Sequence, residues 1–205
     1  MGEKADGTPS TGIDEIIAEA GQSIDTRRLA ELAGHPDPRV RAAVAGNELT
    51  PARSIEELTF DEEWSVRAAT AGNPATGEFW LGELVRDDDV RVRQQAASHA
   101  GLSAKDLQRV AKDDDWRVRA QVASNAGAPE AVLDRLCADE HWQVRGAVGG
   151  NPIASMVLLR TLATDEDWRV RAQVAANPSA PSEILAALTL DGDEGVRVAA
   201  ARPTT

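Results

Sequence analysis

Hydrophobic and polar positions recur along this chain every 26 residues. A Val-Arg pair stands at Val40-Arg41, Val66-Arg67, Val92-Arg93, Val118-Arg119, Val144-Arg145, Val170-Arg171 and Val196-Arg197, with no insertion between steps. Seven residues after each Val come Asn47, Asn73, His99, Asn125, Asn151 and Asn177. Fifteen after it come Ile55, Leu81, Leu107, Leu133, Leu159 and Leu185, and eighteen after it Leu58, Leu84, Val110, Leu136, Leu162 and Leu188. Trp64, Trp116, Trp142 and Trp168 stand two residues before the Val, with Val90 interrupting that column, and acidic clusters such as Asp113-Asp114-Asp115 run just ahead. Self-similarity at such a period is the signature of a repeat architecture.

Each unit predicts two short helices. The first follows a Pro, Ser or Gly and carries both Leu columns on one face, as in "PEAVLDRLCAD" from Pro129; Pro suits a helix start because its missing N–H would be unpaired there. The second is "WRVRAQVASN", with acids ahead of it and Asn behind it, both helix-end signals. Neither segment is long enough to be stable alone. Each has an apolar stripe that only a neighbour can cover, so the units must stack. With layers roughly 8–10 Å apart, seven of them make a rod about 60–70 Å long. The expected fold is therefore an all-α solenoid of seven two-helix repeats over 25–202. A degenerate half-repeat at 12–24 caps it, with Asp14 in the Val column, and a disordered tail covers 1–11. No polar cap is evident at the other end, which predicts a face open to end-to-end self-association.

The motif D-x-x-x-V-R-x-x-V-A-x-N-P…P-x-x-x-L-x-x-L, seen nearly whole in "DWRVRAQVAANPSAPSEILAAL" from Asp167 to Leu188, resembles the leucine-rich repeat variant family. The resemblance covers about residues 13 to 202 and is specific, because the columns stay in register throughout. It implies a right-handed superhelical solenoid in which α- and 3₁₀-helices alternate without strands, close to HEAT-like repeats. The family's best-known type carries an iron–sulfur cluster on clustered cysteines ahead of its repeats. This chain has the single Cys137, so that cofactor is not carried over and no cofactor is expected.

Charge narrows the choice of partner. The 205 residues carry a formal net charge of −12, which opposes a general phosphate binder. No apolar run reaches the length of a membrane span and the first residues lack a signal-peptide core, so a cytoplasmic location is expected. A lone Cys excludes an internal disulfide, and its place in a small-residue column predicts a buried structural thiol. His35, His99 and His141 stand in different columns or distant units and suggest no metal site. No catalytic or phosphate-loop motif is present, and the acids recur in every unit, so a non-enzymatic protein is expected.

The acids and Args read first as helix caps and as a ladder from one unit to the next. The Asn column reads as a helix terminator bonded to local backbone. The bulky Phe79 and Trp80 are expected to widen the stack locally. Four indoles at one position in a chain without Tyr are the best candidate surface. They pack over the junctions between units, or they form an exposed aromatic ridge flanked by Arg that suits a peptide. The candidate ridge comprises Trp64, Trp116, Trp142 and Trp168 with Arg91, Arg117 and Arg169, plus Gln95, Gln121 and Gln173 from a variable column. The expected role is a scaffold for a protein or peptide partner. The alternative is a nucleic-acid-directed role, either HEAT-like DNA binding or an acidic DNA mimic that inhibits a DNA-binding enzyme.

Overall fold

The computed structural model describes residues 10–201, among which there are 15 α-helices and no strand. The chain divides into two compact units at residues 96 and 97. The first holds α1 (Ser10–Gln22), α2 (Thr26–Leu32), α3 (Pro38–Ala45), α4 (Ala52–Thr59), α5 (Trp64–Gly72), α6 (Glu78–Leu84) and most of α7 (Val90–Ser98). The second holds α8 (Ala104–Val110), α9 (Trp116–Ser124), α10 (Glu130–Leu136), α11 (Trp142–Gly150), α12 (Met156–Leu162), α13 (Trp168–Ala176), α14 (Ser182–Leu188) and α15 (Glu194–Ala200). The tail expected at 1–11 falls outside the described residues for 1–9, while Ser10 and Thr11 open α1.

Helix ends sit where the repeat signals put them. Asp37, Asp115 and Asp167 cap α3, α9 and α13, each side chain accepting from the N–H two residues on. Ser103 and Ser155 cap α8 and α12, each hydroxyl accepting from the N–H three residues on. Pro51, Pro129 and Pro181 stand one step earlier than first-turn prolines, at the N-cap itself. Both segments of the repeat are α-helical, so the 3₁₀ content implied by the resemblance is confined to isolated three-residue bonds at helix ends, such as Val132 N–H to Pro129 O. The short first helix still completes α-type bonds because its cap supplies the first acceptor, as Leu133 N–H to Pro129 O and Leu107 N–H to Ser103 O show.

Within each unit the VR helices stack on one another and the Leu helices cover one side of the stack, giving two helical layers around that unit's core. The Val column is fully buried at Val40, Val66, Val118, Val144, Val170 and Val196, as are Leu29, Leu81 and Leu107 of the Leu column. α1 joins α3 through Ile13, Ile16, Ile17 and Ala20, and Asp14 is exposed where its column mates are buried. Its phase has slipped relative to the repeat. Asn47 reaches back 27 and 24 residues to the carbonyls of Ala20 and Ser23, where later members of its column reach back 28 and 26.

Two polar ladders tie successive repeats together. In the first, the VR arginine forks onto an aspartate of the next repeat. Arg41 donates Nε–H and an Nη2–H to the two carboxylate oxygens of Asp61 at 2.6 and 2.8 Å, and its Nη1 donates to the carbonyls of His35 and Pro36. Arg67–Asp87 repeats the pattern in the first unit, and Arg119–Asp139, Arg145–Asp165 and Arg171–Asp191 repeat it in the second. In the second ladder, the Asn Oδ1 accepts from the N–H two residues on, as expected of a terminator. Its Nδ2, however, donates to two carbonyls of the preceding repeat. Asn151 reaches Ala123 O at 2.7 Å and Asn125 O at 3.2 Å. The expectation of a purely local role for this column is corrected accordingly: the side chain is a bridge between layers, and Asn125, Asn151 and Asn177 are all buried. Among the described residues no buried side-chain polar atom lacks a hydrogen-bond partner.

The first ladder makes stability depend on acid. Burial is the largest influence on the carboxyls of Asp61, Asp139 and Asp165 and raises their pKa, but the bonds from Arg41, Arg119 and Arg145, a backbone N–H bond to each and the nearby positive charges together outweigh it and hold all three below their ordinary value. The bond from Arg171 is the main cause at Asp191, again downward. A carboxyl with a depressed folded-state pKa stabilises fully above its unfolded value of about 3.9, and that stability is lost as pH falls through the folded value. The thermal midpoint is therefore expected to be flat from neutrality to about pH 5 and to drop steeply below about pH 4. A midpoint that rises on acidification, as relief of the −12 charge alone would give, contradicts the ladder's contribution.

Candidate functional site

The Trp column is built by the start of each VR helix. Each indole is the first helical residue, after an acidic cap at Trp64, Trp116 and Trp168 and after His141 at Trp142, so its Cβ points back toward the turn before it, and the buried Val two positions on faces the core. Trp64, Trp116 and Trp142 are half-buried, and Trp168 is 43% exposed. The column is thus both of the things its sequence allows: each ring packs at a junction and still shows a face to solvent.

What lies over each ring comes mainly from the following repeat. Arg91 places its guanidinium 3.3 Å from the Trp64 ring centroid, and Arg169 lies 4.7 Å from Trp142. At Trp116 the following repeat has Gln143 in that column, and His141 instead stacks on the indole at 5.9 Å with planes 16° apart. Arg117 lies over its own Trp116 at 5.0 Å. Arg169 also lies over its own Trp168, at 5.4 Å, but position 195 is Gly, so no side chain of the following repeat covers that ring; a Cβ there would meet the indole Cζ3 at 3.4 Å. That missing side chain explains why this indole is the most open of the four.

The ridge arginines are not free cations. Arg91 forks onto Asp89 at 2.6 and 3.0 Å, and Arg117 and Arg169 bond Asp115 and Asp167. The bond from Arg91 holds the Asp89 carboxyl at about 2. Each ridge position is therefore an indole, a guanidinium and a carboxylate in sequence, with little net charge.

The Gln positions lie further along the same helices. Gln173 packs against Gly146 and Gly150 of the preceding VR helix, and Gln95 approaches Gly72 so closely that a Cβ there would lie 2.8 Å from its amide nitrogen. Gln121 is half-buried on α9. In the second unit Trp142, Gly146, Ala147, Gly150 and Gln173 line a shallow groove of about 410 Å³. The structure thus brings Trp142, Arg169 and Gln173 onto one surface. Residues 146 and 150 were missed by sequence reasoning because Gly in a helix reads as a weakness; here it makes room for a neighbour's amide.

The other conspicuous residues have structural places. His35 Nδ1 accepts from Asp37 N–H and His99 Nδ1 from Gly101 N–H, each standing in for the acceptor its column normally carries. Cys137 is half-buried rather than fully buried, and burial raises its thiol pKa, the direction of an unreactive thiol. Phe79 and Trp80 do not wedge the layers apart: Phe79 is 70% exposed, and Trp80 meets Phe60 edge-on outside the core. Among the described residues, no three His, Cys, Asp or Glu side chains converge to hold a metal, and no helix is long and apolar enough to cross a membrane.

The family model described as leucine rich repeat variant matches residues 116–141 and 168–193, each one full period, so the resemblance carried by the motif is met on those two segments. No curated protein matches the chain. Among solved structures, one described as a leucine-rich repeat variant with a novel repetitive protein structural motif is 24% identical, covering 94% of this chain and 95% of its own, with a TM-score of 0.49. An engineered protein is 20% identical over 95% of both chains, with a TM-score of 0.35.

Proposed function

We propose that this helical-repeat protein is a non-catalytic scaffold that binds a protein or peptide segment along the exposed face of its VR helices. The observation that carries this reading is the Trp–Arg ridge. Indoles recur at one position, keep a solvent-facing edge and are oriented by arginines already held on carboxylates, so a partner meets a preorganised surface. Preorganised aromatic and Arg side chains are the usual anchors of protein interfaces. The adjoining groove at Trp142, Gly146 and Gln173 adds apolar area and an amide that suits a polypeptide backbone.

The nucleic-acid alternative has less support. HEAT-like DNA binding needs arginines aimed at phosphates, yet Arg41, Arg67, Arg119, Arg145 and Arg171 are spent on the inter-repeat aspartates, and Arg39, Arg91, Arg117 and Arg169 on their helix caps. An enzymatic reading has no support either, because the polar corners are occupied by bonds that hold the fold.

Affinity capture from the native cell with wild type and a Trp116→Ala/Trp142→Ala double variant tests the proposal. Proteins retained by wild type and lost with the folded variant are the expected result. Identical captures would show that the indoles only pack. A companion variant adds side chain instead of removing it. Gly195→Arg restores the column at the open end, and acrylamide quenching of Trp168 should fall as the guanidinium covers the ring. Unchanged quenching would mean that position 195 does not control exposure of this indole.

A further inference from the structure

Both phenylalanines of this chain are on its surface, and they are together. Phe60, the C-cap of α4, is 65% exposed, and Phe79, in the first turn of α6, is 70% exposed. Trp80 joins them, its ring 5.9 Å from Phe60 and 4.7 Å from Phe79, nearly perpendicular to both. The rings lie on the Leu-helix layer of the first unit, whereas the Trp–Arg ridge lies on the VR helices. The repeat does not require them. At 26-residue steps Phe60 is replaced by Arg86, Lys112, Ala138, Thr164 and Leu190, and Phe79 by polar or aliphatic residues. A feature written into a single repeat is not one that the stack requires.

Phe60 also lines a depression of about 420 Å³ in which Asp61, Glu83, Asp87 and Asp88 set four carboxylates against the guanidinium groups of Arg67 and Arg86. In the same unit Glu56, Glu63 and Glu78 are exposed and, with Asp88, have no ion pair among the described residues. The second unit has the same depression around Arg119 and Asp139, but there Lys112 stands in place of Phe60 and Arg135 in place of Glu83. The frame is shared; the aromatic rim belongs to the first unit, and the acidic surplus is larger there, since the second unit sets its four carboxylates against three cations.

We propose that Phe60, Phe79 and Trp80 with the neighbouring carboxylates form a second docking surface, for a basic polypeptide segment carrying apolar anchors. The anchors cover the rings, and a Lys or Arg beside them enters the depression toward Asp88, since Glu83 is already held by Arg86 at 2.8 Å. Charge complementarity selects this occupant over an acidic segment, which would place like charges against unpaired glutamates.

A short amphipathic Leu/Lys peptide, its Leu/Glu counterpart and the full-length protein test the surface. The readout is the indole N–H resonance of Trp80, assigned by its loss in Trp80→Phe. The Leu/Lys peptide should shift it saturably, and Phe60→Ser/Phe79→Ser should weaken that binding at least about tenfold. Because both phenylalanines are outside the core, the double variant should keep its helical circular dichroism. The Trp116→Ala/Trp142→Ala variant should bind the peptide as wild type does, which separates this surface from the ridge. No shift at Trp80, an equal response to Leu/Glu, or unchanged affinity in the phenylalanine variant would overturn the proposal. So would a Trp80 shift that depends on protein concentration without peptide, because a second copy would then be the occupant.

Discussion

Arg145→Ala should lower the stability of the second unit by about 3–5 kcal/mol, the largest loss expected from any single substitution considered for this chain. Its guanidinium makes two bonds to Asp165 at 2.7 and 2.9 Å and two more to the carbonyls of Asp139 and Glu140 at 2.8 and 3.2 Å. The Asp165 side chain is only 8% exposed, so truncating its partner leaves a carboxylate with one remaining bond, from Asp167 N–H. Removing one member of a buried pair is costly because the survivor keeps its charge without solvent or partner, whereas replacing both by apolar groups is often far milder. Arg145→Met/Asp165→Leu is accordingly expected to recover part of the loss in urea denaturation. Arg39→Ala, which breaks a pair with a 61% exposed arginine, should leave the midpoint within the scatter of repeat measurements. An Arg145→Ala midpoint indistinguishable from Arg39→Ala would mean the ladder carries no stability.

Asn151→Ala comes next, at roughly 2–3 kcal/mol. The side chain is 2% exposed, and its loss strands the N–H of Ile153 and takes a donor from the carbonyls of Ala123 and Asn125. Asn151→Asp is the sharper variant. It has the same shape and keeps the acceptor for Ile153, but it turns an oxygen toward two carbonyls that need a donor. At neutral pH it should be less stable than the Ala variant, since it adds repulsion and a buried charge to the lost bond. An Asp variant as stable as wild type would show that packing, and not donation across repeats, is what this column supplies.

Much of this was legible before the structure. The Val and Leu columns needed only helical periodicity to be assigned to the core, and Val118 and Leu107 are fully buried as that predicts. The acidic clusters at Asp115 and Asp167 were readable as caps because N-cap chemistry is local. The Arg-to-Asp ladder was readable in kind, since opposite charges recur in fixed phase. The Asn column was half-read: its Asx turn lies within three residues, but its bridge spans 28, a distance only layer spacing can close. The helical phase of α1 was misread because Asp14 was counted by period, while Ile13, Ile16 and Ile17 follow the 3.6-residue stripe that the core selects.

The candidate surfaces divide in the same way. Which residues recur, and where the recurrence breaks, belong to the chain alone: the indoles at Trp64, Trp116, Trp142 and Trp168, the glycine at 195, the lone Phe60 and Phe79. That Arg91 lies over Trp64, that Gly195 leaves Trp168 open, and that Phe60 and Trp80 meet across α4 and α6 were decided only by stacking. Local backbone preferences act over a few residues, so they specify helices and their caps. Contacts between residues a full repeat apart depend on how one layer settles on the next, and that is set by the fit of side chains across the interface.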